Sequence, residues 1–256
     1  MTEPVEVIRA EVLAGIPHGF LGRRGGVSTG LVAGLNVGLG SGDDDIAVGE
    51  NRARAGRAVL PGAPIVACYQ VHSADCATVS VPWSNAERPR ADALVTDRPG
   101  LLLAIVTADC APVLLADREA GVIGAAHAGW KGAIAGVIDR TIAAMEALGA
   151  RRNAIAAAIG PTIAQPSYEV DAALRARFVT TDSASARFFA GGAKPGHWQF
   201  DLPGYVAARL AAAGVAAIEN LGLDTYAAPE RFFSFRRATH RGEPAYGRQM
   251  TLIGLS

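Results

Sequence analysis

Hydrophobic residues change their spacing partway along this chain. From residue 64 to residue 126 they fall in short, nearly continuous runs, APIVACYQV, ATVSVPW, DALVTD, LLLAIVTAD, PVLLAD and GVIGAA, flanked by Pro, Gly and Asp. Short apolar runs closed by turn formers predict strands. The DREAG segment (117–121) between the last two predicts a hairpin turn, so antiparallel pairing enters the sheet.

Further on, the period lengthens. In KGAIAGVIDRTIAAMEALGA (131–150), Ile134, Val137, Ile138, Ile142, Met145 and Leu148 fall at steps of three and four, which predicts a helix that Gly149 stops. A second helix is predicted after Asp201, with Pro203 in its first turn and Gly214 near its end. Smaller helices are expected between the two. RRNAIAAAIG (151–160) reads as a strand, and FFSFRR (232–237) and YGRQMTLIGL (246–255) as strands closing the sheet late in the chain. Residues 19–52 are rich in glycine and small polar side chains and predict a strand followed by a long ordered loop. No fixed-period repeat and no linker divides the chain, so the expectation is one domain, residues 1–256, of α/β (α+β) class.

Composition adds exclusions. With 256 residues and 50% hydrophobic content the chain can fill a sizeable core. Its 24 basic and 24 acidic residues cancel, so there is no general attraction to nucleic acid or a membrane surface, and any anion site must be local. The stretch MTEPVEVIRAEVLAG carries three glutamates and lacks a signal-type apolar core. LLLAIVTADC is broken by Asp109 after about eight residues, short of the roughly 20 a membrane span needs. Three cysteines, Cys68, Cys76 and Cys110, are an odd number that argues for a reducing compartment. The expectation is a soluble, cytoplasmic protein.

Three ligand-type residues end apolar runs: His72 after YQV, Cys110 after IVTAD and His127 after GVIGAA. If these runs are neighbouring strands with level ends, the three converge. Neutral imidazoles and a thiolate suit zinc, and three protein ligands leave a fourth position for water. Each residue alone is more often a packed core side chain with a satisfied hydrogen bond. Cys76 is a further ligand candidate, four residues after His72, and Cys68 reads as core. Gln70 shares a strand face with His72 by the two-residue period. Asp109 falls on the opposite face from Cys110, where it could act directly or support another group. Trp130 reads as a core plug or a wall for a flat base, and His18, His197 and His240 as packing or surface residues.

QVHSADC, TADCAPVLL and GAAHAGWKG resemble the three signature blocks of the YfiH-like family, also called polyphenol oxidase (laccase-like) or peptidoglycan-editing-factor proteins. FLGRRGGVSTGLVAGLNVGLGSGDDDIAVGENR resembles its opening block, and IGPTIAQPSYEV and FFSFRR its closing blocks; together they span most of the chain in order. The resemblance implies a layered sandwich with mixed β-sheets and a zinc site at His72, Cys110 and His127. It implies phosphorolysis of adenosine, inosine and methylthioadenosine, deamination of adenosine, or editing of peptidoglycan precursors that carry L-serine. An older name implies copper instead.

Phosphorolysis requires donors for phosphate. The match to FFSFRR selects Arg237, and the glycine-rich loop offers Arg23, Ser28, Asn36 and Arg52, although Arg52 also reads as a salt-bridge former and Asn36 as a loop residue bonding its own backbone. The chain departs from the family in having Thr162 and Ser167 where many relatives have cysteines, and in ATHRGEPAYGR, which replaces a shorter acidic turn after Arg237. Two other readings stay open: a metal-free cysteine hydrolase using Cys110 and His127, and a partner-binding protein with a vestigial site.

Overall fold

The structure is a computed structural model, and it describes residues 3–256. The first two residues of the leader stretch and of the 1–256 span lie outside the described residues. In chain order the first strands are β1 (Val7–Ile8), β2 (His18–Leu21), β3 (Ile65–Ala67), β4 (Cys76–Thr78), β5 (Ala93–Thr96), β6 (Leu102–Thr107) and β7 (Ala111–Asp117). They are followed by β8 (Val122–Ala128), β9 (Ala156–Ile159), β10 (Glu169–Asp171), β11 (Phe189–Gly191), β12 (His197–Phe200), β13 (Ala217–Asn220) and β14 (Gln249–Gly254). The α-helices are α1 (Asp45–Val59), α2 (Trp130–Ala135), α3 (Val137–Ala147), α4 (Ala172–Thr181), α5 (Leu202–Ala212) and α6 (Phe235–His240).

Two mixed sheets make the frame. One runs β1-β2-β14-β6-β3 and the other β13-β9-β7-β8-β5-β4, with a small sheet β10-β12-β11 alongside. β7 and β8 form the predicted hairpin, with Asp117 opposite Val122. The strand period of two sorts the core. On β6, Leu103 and Ile105 join Leu114 of β7 and Ile123 and Ala125 of β8 in one cluster between the sheets. Leu102 and Ala104 face the other way, with Ala55 and Val59 of α1. The outer face of the larger sheet packs Val113, Val122 and Ala126 on α3 and α5. The result is a layered sandwich, helix on sheet on sheet on helix, as the family resemblance implied.

Several expectations shift. The 64–72 run is a strand only to Ala67, because residues 71–73 turn to give their amides to a carboxylate, and His72 takes a φ of 61°. The 77–83 run pairs only through Thr78. Residues 131–150 form two helices, since Gly136 sits at φ 89° and ends α2 before α3 begins, although Gly149 follows the end of α3 as expected. Residues 45–52, expected as loop, open α1, capped by Asp44. FFSFRR is not a strand: the Ser234 side chain caps α6, accepting from the Arg237 amide, and the aromatics belong to a helix start. The helix after Asp201 forms as predicted, and no helix of the described residues is long and apolar enough to cross a membrane.

Candidate metal centre and its flanking grooves

His127 lies near the end of β8 and has the same parity as Ile123 and Ala125, which face the space between the sheets. Cys110 closes the short β6–β7 connection, and His72 rides on the loop after β3. Only His127 is therefore on a strand, yet the three converge. Their ligand atoms all lie within 4.8 Å of one another, and among the described residues they are the one such group. Cys110 Sγ is 3.8 Å from His72 Nε2, and the two imidazole rings meet edge to face at 4.7 Å.

Two local devices make this convergence possible. Asp92 is fully buried; its carboxylate accepts from the amides of Val71, His72 and Ser73 and from His127 Nδ1 at 2.8 Å. One side chain thus fixes the His72 loop and orients the His127 ring so that Nε2 is its free nitrogen. Gly129 is the second device: a Cβ there would lie 2.9 Å from both Cys110 Sγ and His72 Cδ2. Glycine is needed for space, not for conformation, since its φ is −69°.

The electrostatics favour a ligating thiolate. Burial opposes ionisation of Cys110, but the flanking His127 and His72 rings outweigh it and hold the thiol below its ordinary range. Burial likewise works against an imidazolium at His127, and the Cys110 and Asp92 charges overturn that. Burial would also raise Asp92, whereas its donors bring it down to about 2. The donor set suits a divalent transition metal: tetrahedral zinc, with bonds of about 2.0–2.3 Å, sets its ligand atoms roughly 3.3–3.7 Å apart, close to the 3.8 Å between Cys110 Sγ and His72 Nε2, while the trio as a whole spans up to 4.8 Å and would draw in around an ion.

A groove of about 450 Å³ opens on one side of the trio. Arg52, Arg88 and Arg248 line it together with Gln70 and Tyr246, and no carboxylate does. Burial, and after it the nearby Arg88, bring Arg52 down to about 10, and its guanidinium donates to the Val37 carbonyl. Asp92, Arg88, Arg248 and Tyr246 were not singled out from the sequence. The one pointer was the atypical 238–248 segment, whose end supplies Tyr246 and Arg248.

Of the remaining candidates, Gln70 lines the groove and Asp109 a depression that shares His72 and Cys110 with it, while Arg237, Arg23, Ser28 and Asn36 lie in neither. Arg237 is 8% exposed and spends its guanidinium on the carbonyls of Thr225, Tyr226 and Phe232, lining with Arg23 a separate polar pocket of about 230 Å³. Arg23 itself donates to Ala33 and Pro229 carbonyls. Ser28 and Asn36 hold the loop together through Asp43, and Asn36 Oδ1 accepts from the Arg248 amide. Gln70 brackets the backbone of Val106, donating to its oxygen and accepting from its nitrogen. Asp109, at φ 85°, accepts from Thr225 and Ser234 hydroxyls and the Arg236 amide, so it braces the turn that carries Cys110. Thr162 and Ser167 are bonded to the Asp109 carbonyl and to Asp224. Cys68 and Cys76 are free thiols, Cys68 buried, and burial holds both up at about 12, so Cys110 is the better candidate for a ligating sulfur.

Known proteins resemble this chain along nearly its whole length. Residues 17–256 match the profile of the family described as multi-copper polyphenol oxidoreductase laccase. A purine nucleoside phosphorylase of Streptomyces griseus is 42% identical over 248 residues, 93% of this chain and 96% of the relative. One from Deinococcus radiodurans is also 42% identical, over 100% and 95%. Among solved structures, YlmD of Geobacillus stearothermophilus superposes with a TM-score of 0.87 at 32% identity, covering 100% of this chain and 97% of that one. YfiH of Bacillus licheniformis does so at 0.86 and 28%, with the same coverage. The fold, the convergent trio and these matches agree: the chain belongs to the YfiH family, described as multi-copper polyphenol oxidoreductase laccase.

Proposed function

We propose that this protein is a zinc-dependent purine nucleoside phosphorylase, with His72, Cys110 and His127 as the metal ligands and Arg52, Arg88 and Arg248 as the phosphate-binding groups. The observation that carries the reading is the carboxylate-free groove of three guanidiniums opening directly onto the trio. A phosphate co-substrate needs such a groove, whereas deamination or hydrolysis, which use water, do not. The names of the 42% identical relatives point the same way.

A zinc ion held by His72, Cys110 and His127 would supply a Lewis acid. The chain's own residues do the rest. Asp92 fixes the tautomer of His127 and the backbone of His72, so the donors are set before any ion arrives. The guanidiniums neutralise phosphate and hold it beside the sugar. A multi-copper oxidase needs several metal centres, and among the described residues there is one cluster of three possible ligands, which favours transfer chemistry over oxidation.

Metal analysis of protein purified without added metal, combined with product identification from adenosine and phosphate, tests the reading. Zinc near one equivalent, with adenine and ribose 1-phosphate as products, is expected. Inosine as the product would assign deamination, copper with phenol oxidation would assign the family's descriptive name, and turnover indifferent to chelators would assign Cys110–His127 thiol chemistry. Any of these overturns the proposal.

A further inference from the structure

The small pocket of about 230 Å³, which no member of the trio lines, gathers three guanidiniums, those of Arg23, Arg237 and Arg241, and among the described residues one carboxylate, that of Glu243. Its volume is below the roughly 300 Å³ at which pockets for whole organic ligands begin, and suits one compact ionic group. The cations are held in place by neutral partners. Arg237 is buried, and three of its five N–H donors go to the carbonyls of Thr225, Tyr226 and Phe232. Arg23 spends three on the carbonyls of Ala33 and Pro229, and its guanidinium lies 4.7 Å from the centre of the Phe233 ring. Two donors remain on each. Carbonyls fix the two planes without cancelling their charge, and Glu243 stands 3.7 Å from Arg241, the exposed member of the three. Burial is the first cause lowering Arg23 and Arg237 from the ordinary arginine range; Arg241 lowers both further, and Glu243, with Asp109 in the case of Arg237, offsets this only in part. An anion held among the guanidiniums would relieve that repulsion and meet donors already in position.

We infer that this pocket is a second anion site, in which Arg23, Arg237 and Arg241 take one compact oxyanion of charge near −2, either free hydrogen phosphate or the phosphoryl group of a small ester. It shares only Tyr246 with the arginine groove. It requires neither a metal nor a nucleoside, so it stands apart from the phosphorolysis reading.

Crystals of the wild-type protein grown without phosphate or sulfate and soaked in selenate should show an anomalous peak within hydrogen-bond reach of Arg23 and Arg237. Calorimetric titration of inorganic phosphate at low ionic strength into Arg88→Ala protein, whose groove is weakened, should still fill one site per chain with a Kd of about 1 mM or tighter. In that background Arg241→Gln should weaken binding about fivefold or more, because it removes a cation, and Glu243→Gln should tighten it about threefold or more, because it removes the competing carboxylate. The opposite signs separate binding from a structural role, since either change breaks the same Arg241–Glu243 pair. Glycerol 3-phosphate in place of phosphate tells the two sources apart: tighter binding assigns a phosphoryl group on a larger molecule, weaker binding the free ion. A selenate peak confined to the arginine groove, a Kd above about 1 mM or no phosphate bound by Arg88→Ala protein, or shifts that are absent or of one sign in the two variants overturns the inference while leaving phosphorolysis intact. The crystal measurement uses wild-type protein and holds whatever the variants do.

Discussion

Asp92 connects two of the three metal-ligand candidates without being one. Its carboxylate takes the amides of the His72 loop and the His127 ring nitrogen, and it is buried completely. Asp92→Asn keeps the volume but replaces one acceptor oxygen with a donor, so an amide or the His127 ring loses its partner. Metal affinity should fall about 10- to 100-fold, the usual effect of losing such a supporting group, as read by competition with a chromophoric chelator. An unchanged affinity would show that the three ligands hold their own geometry. Gly129→Ala acts by bulk: the new methyl carbon would lie 2.9 Å from Cys110 Sγ and His72 Cδ2, so the loop must move. The expected outcome is lost metal stoichiometry with an unchanged circular dichroism spectrum. The convergence of His72, Cys110 and His127 was expected from their places after three apolar runs and from the family's signature blocks, although only His127 is on a strand. Asp92 and Arg88 were not, since nothing in ADALVTD or NAERPR distinguishes a buried acceptor or a groove guanidinium from ordinary loop charges.

The elements that sequence reasoning predicted well are those whose period alone decides them. β6, β7 and β8 are nearly all buried, and their runs read as strands without tertiary information. α1 was missed because its buried positions include Asn51 and Gly56 and its exposed ones many charges, leaving little apolar stripe to count. α6 was misread because its aromatic start mimics a strand, and only the Ser234 cap marks the helix. Ser234→Ala should therefore cost about 1 kcal/mol, and somewhat more because Ser234 also donates to Asp109, measured by denaturant unfolding. The β7–β8 hairpin carries a pH signature. Burial of Asp117 acts to raise its pKa, but the amides of Arg151, Ala120 and Glu119 outweigh it and hold the folded value below the 3.8 of the free side chain. A depressed carboxylate stabilises the fold above its unfolded pKa, and the contribution is lost as pH falls through the folded one. Asp117→Asn should be destabilised by about 1–3 kcal/mol near neutral pH, and the gap to wild type should narrow below about pH 4. A gap constant down to acid unfolding would count against the role given to this carboxylate.

Across the whole molecule, the candidate metal centre draws its three possible ligands from separate stretches, and what brings them together is the packing of two sheets. The cluster between the sheets joins β2, β3, β5, β6, β7, β8, β9 and β14, so the frame is held by apolar burial whether or not an ion is bound. This separates the centre from structural zinc sites, in which the metal supplies the folding free energy and its removal unfolds the chain. Stripping the metal with a strong chelator should leave the far-UV circular dichroism unchanged. The cost should be only the linkage between binding and folding, about 2.7 kcal/mol for a metal present at 100 times its Kd. At roughly 2–4 °C per kcal/mol for a chain of this size, Tm should drop by about 5–11 °C. Returning zinc should restore both Tm and activity, because Asp92 keeps His72 and His127 placed in the metal-free protein. Loss of secondary structure on chelation would mean that the ion, and not the packed sheets, organises this end of the sandwich.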